Sequence, residues 1–349
     1  MGTKNTSALV VEFLRENNFT NQISVVDGQP GCGKTLFSNI IQSFQRAEIF
    51  NYVFELEFII KLHKFEKISN DATDSLIKML VDHKIYQNMM SRDVNFRYND
   101  LSSVFKNPYP FRYFQRIFSA GDRSIPEKII KNNPILNLTC HDLLFYSDIL
   151  FKNLGNRLSF FEIIRHPLYM IKQQHINVKE LEKTPRDIQL KFKYKDQELP
   201  YYAFGCEEEY FAASEIDKAV IIMKNLTKKN NLKRIELKKK ENFLTVPFEQ
   251  FVINPNTFLS KICNILKTSY GSKTIEILKK NKVPRIKVED GIDLPIYRIM
   301  GWQPPIKNLT IKDELASRRN YAVNNGISNR YLEELDMMSE DYIKNYSWF

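Results

Sequence analysis

The sequence predicts a three-layer α/β/α fold built on a mostly parallel central sheet. Short apolar, β-branched runs alternate with segments of helical periodicity, the pattern of a parallel sheet covered on both faces. A strand, a glycine-rich loop and a helix open the chain in immediate succession. His141 and Arg165 each fall just past an apolar run, at the carboxyl ends of strands where α/β sheets hold their ligands.

Taken in order, Gln22 to Asp27 contains Ile23, Val25 and Val26 and reads as a buried strand. Leu36, Phe37, Ile40, Ile41 and Phe44 then recur at helical spacing, so a helix starts at the loop. Val53 to Ile60 is apolar with Glu55 and Glu57 alternating, which reads as a strand with one polar face. Asn107 to Phe118 is dense in aromatics and prolines and reads as a loop packed on the core, or else as an acceptor-binding surface. Ile135 to Thr139 and Ser159 to Ile164 are two further buried strands, the first running into Cys140-His141-Asp142 and the second into Arg165-His166-Pro167. Glu207 to Lys229 reads as one long amphipathic helix with a lysine-rich carboxyl end. Asn242 to Val246 is a fourth strand, followed by Phe248-Glu249 and a helix after Pro255. The organisation expected is a single domain over residues 1–349. Its core spans about 20–270, with insertions near 90–130 and 176–240 and an extension over 271–349.

The loop itself, VVDGQPGCGKTLFSNII, has the spacing of a nucleotide-binding P-loop: Gly28, four residues, then Gly33-Lys34-Thr35. Its glycines can turn backbone N–H groups inward as a nest for anionic oxygens, and the dipole of the following helix favours the same charge. Lys34 adds a mobile cation, and the Thr35 hydroxyl can meet a phosphate or a metal ion. A glycine-rich turn that merely joins strand to helix does not need this full pattern.

Composition bounds the rest. The chain has 349 residues, 43% hydrophobic and 13% aromatic, enough for a large core. Its formal charge of +10 suits a polyanionic ligand and equally a solvated lysine-rich surface. No apolar run approaches the roughly 20 residues of a membrane span, and the N-terminus lacks a signal-peptide core. Gly2 and Thr6 fit a myristoylation pattern too short to outweigh chance. Cys32, Cys140, Cys206 and Cys263 are scattered, which indicates neither a zinc site nor a disulfide framework and fits a reducing cytoplasm. No nucleic-acid motif stands out. An ATPase or GTPase normally adds a second acidic strand end to hold magnesium. The strand at Ile135 ends in Thr-Cys-His, Asp142 comes one residue later still, and the strand at Ser159 ends in arginine.

GQPGCGKTL resembles the phosphosulfate-binding loop of the sulfotransferases, whose tyrosylprotein-type and bacterial members carry G-x-P-[RK]-S-G-T-T-L; Gly28, Pro30, Gly33, Thr35 and Leu36 match. FEIIRHPLYMIKQQ is similar to that family's strand-Arg-[DN]-Pro-helix segment, with Arg165 and Pro167 matching. ENFLTVPFEQFVINP resembles its later N-x-L-x-V-x-Y-E-D-L-x-x-x-P stretch, with Phe248-Glu249 for Tyr-Glu. The Thr-Cys-His141 turn resembles the Lys-Thr-His of the cytosolic branch, at a similar separation from the arginine. The pieces come in family order over roughly Gln22 to Leu266. The sequence departs from the pattern at Gly31, where the family has a basic residue, at Lys34, where it has threonine, and at Gln173, where it has serine. The family's basic C-terminal segment is not recognisable, and Arg318 and Arg319 are the residues offered in its place.

The resemblance implies a P-loop-like sulfotransferase fold and transfer of a sulfuryl group from 3′-phosphoadenosine 5′-phosphosulfate to a hydroxyl on a sugar, lipid or small molecule, with adenosine 3′,5′-bisphosphate as product and no metal required. It implies that N–H groups of Gly31, Cys32, Gly33, Lys34 and Thr35 hold the 5′-phosphate and that Lys34 stabilises the leaving oxygen. Arg165, with Gln173, grips the 3′-phosphate. His141 is the expected base, with Glu55 and Glu57 as rivals, because tyrosylprotein-type members take their base from a glutamate about this far past the loop. Two other readings stay open from the residues alone: a P-loop kinase or NTPase using ATP and Mg²⁺, and a non-catalytic nucleotide-binding scaffold.

Overall fold

The computed structural model describes residues 11–348, apart from 182, 186 and 188; the Gly2 and Thr6 pattern lies outside them. The chain opens with β1 (Ile23–Asp27), all five residues buried, and turns through the glycine loop into α1 (Lys34–Ile41). A two-residue edge strand β2 (Asn51–Tyr52) leads to α2 (Phe54–Lys64) and α3 (Asn70–Met89). Two short helices, α4 (Pro110–Ile117) and α5 (Ile125–Asn132), precede β3 (Leu136–Thr139), and α6 (Asp148–Leu154) precedes β4 (Leu158–Ile164). After α7 (Pro167–Ile176) come a hairpin of β5 (Lys191–Tyr194) and β6 (Gln197–Pro200), then α8 (Glu207–Ala212) and α9 (Glu215–Leu237). The chain finishes through β7 (Phe243–Pro247), α10 (Phe248–Ile253), α11 (Pro255–Ile265), α12 (Ser272–Lys280), α13 (Pro295–Ile299), α14 (Ile311–Asn324) and α15 (Asn329–Tyr346).

The main sheet runs β2-β3-β1-β4-β7, and every pairing in it is parallel. Alternation along β1 divides the core: Val26 joins the side chains of α1, α7, α9 and α10, whereas Ile23 and Val25 join those of α2, α3, α5 and α6. Three layers result. Because β1 lies between β3 and β4, the loops leaving all three strands meet at one edge, the place where open α/β sheets bind ligands. Among the described residues no helix is long and apolar enough to cross a membrane.

Three local expectations need correction. Val53 to Ile60 is not a strand. Leu56 and Ile60 share one face of α2, Val53 precedes its first turn, and all three are fully buried, so the alternating glutamates sit on helix turns. Asn107 to Phe118 is not a loop but carries α4, started by Pro110 in its first turn and anchored by buried Tyr113, whose hydroxyl accepts the Ile49 N–H (2.7 Å). Glu207 to Lys229 is two helices. Ser214 caps α9 by accepting the Asp217 N–H (3.3 Å), and α9 runs past the lysines to Leu237. The hairpin β5–β6, closed by Lys195 and Asp196 at φ 43° and 61°, had no counterpart in the sequence reading.

Candidate active site

Position 33 is where the loop most needs a glycine. Its φ is 99°, it caps α1, and a Cβ there would lie 2.3 Å from the Phe248 ring. Gly28 is pressed equally close to β4, with a Cβ position 2.3 Å from the Ile163 carbonyl oxygen. Lys34 is buried, and its ammonium donates to the carbonyls of Gly28 (2.7 Å) and Gln29 (3.2 Å). That leaves one of its three N–H groups for an anionic oxygen. The Thr35 hydroxyl pairs with that of Tyr52 at 2.7 Å. Pro30 is held by its carbonyl, which accepts from Gln174 on α7 (2.9 Å). Cys32 and Leu36 point into the core, where burial pushes the Cys32 thiol up to about 11. Beneath the loop, burial raises Asp27 to about 6, although its carboxylate accepts the Leu143 and Leu144 N–H groups (2.9 to 3.1 Å) and lies near Lys34. Those bonds tie the end of β1 to the turn after β3.

That turn presents His141, whose side chain is 22% exposed. Its Nδ1 lies 3.0 Å from Glu57 Oε1, and the same oxygen accepts the His141 backbone N–H at 2.9 Å. Burial pushes Glu57 up, but His141 and Lys61 outweigh it and hold the carboxyl below its usual range. An ionised carboxylate only accepts, so Nδ1 carries the proton and Nε2 keeps its lone pair. Burial and then Lys34 lower the His141 pKa against the pull of Glu57, so the ring is neutral at pH 7. The second Glu57 oxygen takes Lys61 (3.3 Å), which also lies 3.9 Å over the Tyr201 ring; both side chains are essentially fully buried. The imidazole stacks with Tyr52 and Phe54, at centroid distances of 5.8 and 5.6 Å. Tyr52 therefore touches His141 with its ring and the loop with its hydroxyl. Glu55, by contrast, is exposed and pairs with Lys84 (3.4 Å). Asp142 is buried at φ 57°. One of its oxygens accepts from Tyr201 (3.4 Å) and the other has no partner; burial raises its carboxyl to about 7.

Arg165, just past β4, donates to the Gly31 carbonyl (3.1 Å) and to Glu289, with its Nε 3.8 Å from buried Glu249. Its guanidinium lies over Phe248 (4.5 Å) and Tyr169 (5.0 Å). Glu249 also accepts the His166 N–H (3.1 Å) and the Tyr342 hydroxyl, so the Phe248-Glu249 pair at the start of α10 shapes the arginine turn. Arg318 reaches the same cluster, 3.4 Å from Glu289 and 3.2 Å from Glu314, and Arg285 lies on Phe248 at 5.6 Å. The Nε atoms of Arg165, Arg285 and Arg318 are all buried without an acceptor. Gln173 flanks the loop, its Oε1 3.1 Å from where a Cβ on Gly31 would sit. Arg319 does not join them; it points to Asp336 on α15 (2.6 Å).

The chain is similar in fold to sulfotransferases. One such structure is the sulfotransferase domain of the Synechococcus PCC 7002 olefin synthase (11% identity, TM-score 0.40, covering 91% of this chain and 98% of that one). A second is the sulfotransferase domain from the curacin biosynthetic pathway (11%, 0.41, covering 86% and 98%). A third is mouse sulfotransferase SULT7A1 complexed with PAP (12%, 0.37, covering 95% and 88%). No protein-family model and no curated protein matches the sequence. At these identities and scores the likeness is one of fold alone.

The structure thus gathers Gly28 to Thr35, His141, Glu57, Arg165, Gln173 and Arg318 at one edge of the sheet, and leaves Glu55 and Arg319 outside. Sequence reasoning missed Tyr52, Gln174, Arg285 and Glu289. Only Gln174 had a usable signal, an amide one turn along α7 from Met170, a buried residue of the same helix face. Arg285 and Glu289 lie in an irregular charged stretch, VPRIKVEDG, with no periodicity to mark them.

Proposed function

We propose that this protein is a sulfotransferase, moving a sulfuryl group from 3′-phosphoadenosine 5′-phosphosulfate to an acceptor hydroxyl on a sugar, lipid or small molecule. One observation carries the reading: a neutral imidazole, oriented by a buried carboxylate, is joined through Tyr52 to the hydroxyl of a phosphate-type loop. The nucleotide, when bound, supplies the sulfuryl group and the leaving phosphate. The residues present fit it, because Lys34 has a spare N–H and three buried arginine Nε donors lack acceptors. In this scheme the loop and Lys34 hold the 5′-phosphate side and offset charge growing on the leaving oxygen. Arg165, with Arg285, Arg318 and Gln173 around it, receives the second phosphate. His141 takes the acceptor proton at Nε2, and Glu57 holds the ring and stabilises the imidazolium that forms. Glu57 acts here as a positioning group for His141 rather than as its rival.

A P-loop kinase or NTPase is the second reading, favoured by the unpartnered buried oxygen of Asp142 near Lys34. Thermal melting separates the two. Adenosine 3′,5′-bisphosphate without magnesium should raise the melting temperature, and ATP with Mg²⁺ should do so less; at a hundredfold excess over Kd a ligand adds roughly 2.7 kcal/mol. A shift given by ATP only, and only with magnesium, supports the kinase reading instead.

A further inference from the structure

The Arg165 cluster already holds an anion, and it belongs to the chain. Glu289 is 2% exposed and lies in the irregular stretch between α12 and α13. Its carboxylate pairs with Arg165 and with Arg318 (3.4 Å). Arg285, four residues earlier, lies over the same Phe248 ring as Arg165 and donates to the Val288 carbonyl (2.6 Å). A carboxylate and a phosphate present the same acceptor-only face to a guanidinium fork. Burying Glu289 is tolerable because these arginines compensate it. For the same reason the site carries its own counter-charge: Arg165 and Arg318 face Glu249, Glu289 and Glu314. A phosphate that entered with Glu289 in place would meet a like charge in a water-poor setting, where such repulsion is strong.

The stretch that carries Glu289 is a short irregular turn held at a few points. Val283 and Val288 are buried anchors, while Ile286 between them is 93% exposed. The Arg285 N–H donates to the Val252 carbonyl (2.7 Å), and a tight turn is closed by Lys287 N–H to the Asp290 carboxylate (2.8 Å) and Asp290 N–H to the Lys287 carbonyl (3.0 Å). Beyond Gly291 the next helix does not begin until Pro295.

We propose that Glu289 is an internal rival for the second phosphate of the nucleotide: its carboxylate holds Arg165 and Arg318 together in the free protein and leaves them when that phosphate enters. This rests on the sulfotransferase reading above and adds to it the residue that sets how strongly a 3′-phosphate is preferred. Releasing the arginines from Glu289 strengthens the grip on a dianion, while Glu289 itself makes no contact with Lys34 or Thr35 of the 5′-phosphate loop.

The test is metal-free calorimetric binding of adenosine 3′,5′-bisphosphate and of adenosine 5′-monophosphate to the natural chain and to Glu289→Gln. The substitution should tighten the bisphosphate about tenfold or more, the scale of a charged hydrogen bond, and leave the monophosphate within about twofold. If the natural chain prefers the bisphosphate and Glu289→Gln leaves that preference unchanged or reduces it, the rival role is wrong while the sulfotransferase reading stands. If neither chain binds the bisphosphate and both bind ATP with Mg²⁺, both readings fall together. Hydrogen exchange on the natural chain tests the same idea without a variant. The amides of 285–291 should exchange faster with the bisphosphate bound than with the monophosphate, and equal or slower exchange overturns the proposal.

Discussion

Replacing Glu57 by glutamine keeps the shape of the side chain but removes the charge that faces His141 and Lys61. The glutamine oxygen can still accept from the His141 Nδ1–H and backbone N–H, now 3.0 and 2.9 Å from Glu57 Oε1. Its NH₂ then meets the Lys61 ammonium, 3.3 Å away and fully buried, leaving that charge to the Tyr201 ring and the nearby Asp142 carboxyl. Removing one partner of a buried ion pair costs about 3–5 kcal/mol, and the retained hydrogen bonds place this change near the lower end. In the proposed reaction, the loss at the chemical step is the interaction between the carboxylate and the imidazolium that would form as the acceptor proton is taken. A hydrogen bond to a charged group is worth about 1.5–3 kcal/mol, and 1.36 kcal/mol is tenfold, so the rate should fall roughly 10- to 150-fold. Glu57 pulls the His141 pKa upward against burial and Lys34, so its loss lowers that pKa further below the usual 6.5. The acid limb of kcat/KM should therefore move to lower pH. Rapid-quench release of adenosine 3′,5′-bisphosphate across pH, with calorimetric binding of that product as the control, reads both effects. A rate within about twofold of the natural chain, or an acid limb that stays put or moves to higher pH, refutes the dyad.

Gly33→Ala puts a Cβ at φ 99° and 2.3 Å from the Phe248 ring, so it should cost on the order of 1–3 kcal/mol from backbone strain alone and weaken nucleotide binding, read by chemical denaturation and calorimetry. Asp142→Asn should gain stability relative to the natural chain as pH rises. The buried carboxyl titrates near 7 when folded and at 3.8 when unfolded, so its ionisation opposes folding increasingly through that window. The difference between the two chains should grow by roughly 2–3 kcal/mol from pH 5 to pH 8 in paired urea titrations, and a difference flat in pH would contradict it.

The loop shows how much of the site was legible. Gly28, Gly33, Lys34 and Thr35 are marked by spacing within eight residues, and the strand before and helix after them follow from β-branched and helical runs. That His141 and Arg165 lie just past strand ends was legible because the apolar runs of β3 and β4 are plain. Val53 to Ile60 misled because two glutamates at i and i+2 satisfy a strand pattern locally, while Val53, Leu56 and Ile60 satisfy a helix; only packing against the sheet selects between them.

What the sequence determined on its own is therefore local: a phosphate-type loop on a parallel α/β sheet, with an imidazole and a guanidinium at neighbouring strand ends. Tertiary structure decided the pairings. Glu57 meets His141 across 84 residues, and Glu289 meets Arg165 across 124 residues. Periodicity records which face of an element is buried, because neighbours in sequence share that element. It carries no record of which distant carboxylate will neutralise a buried charge, since that choice is made by desolvation once the layers have packed.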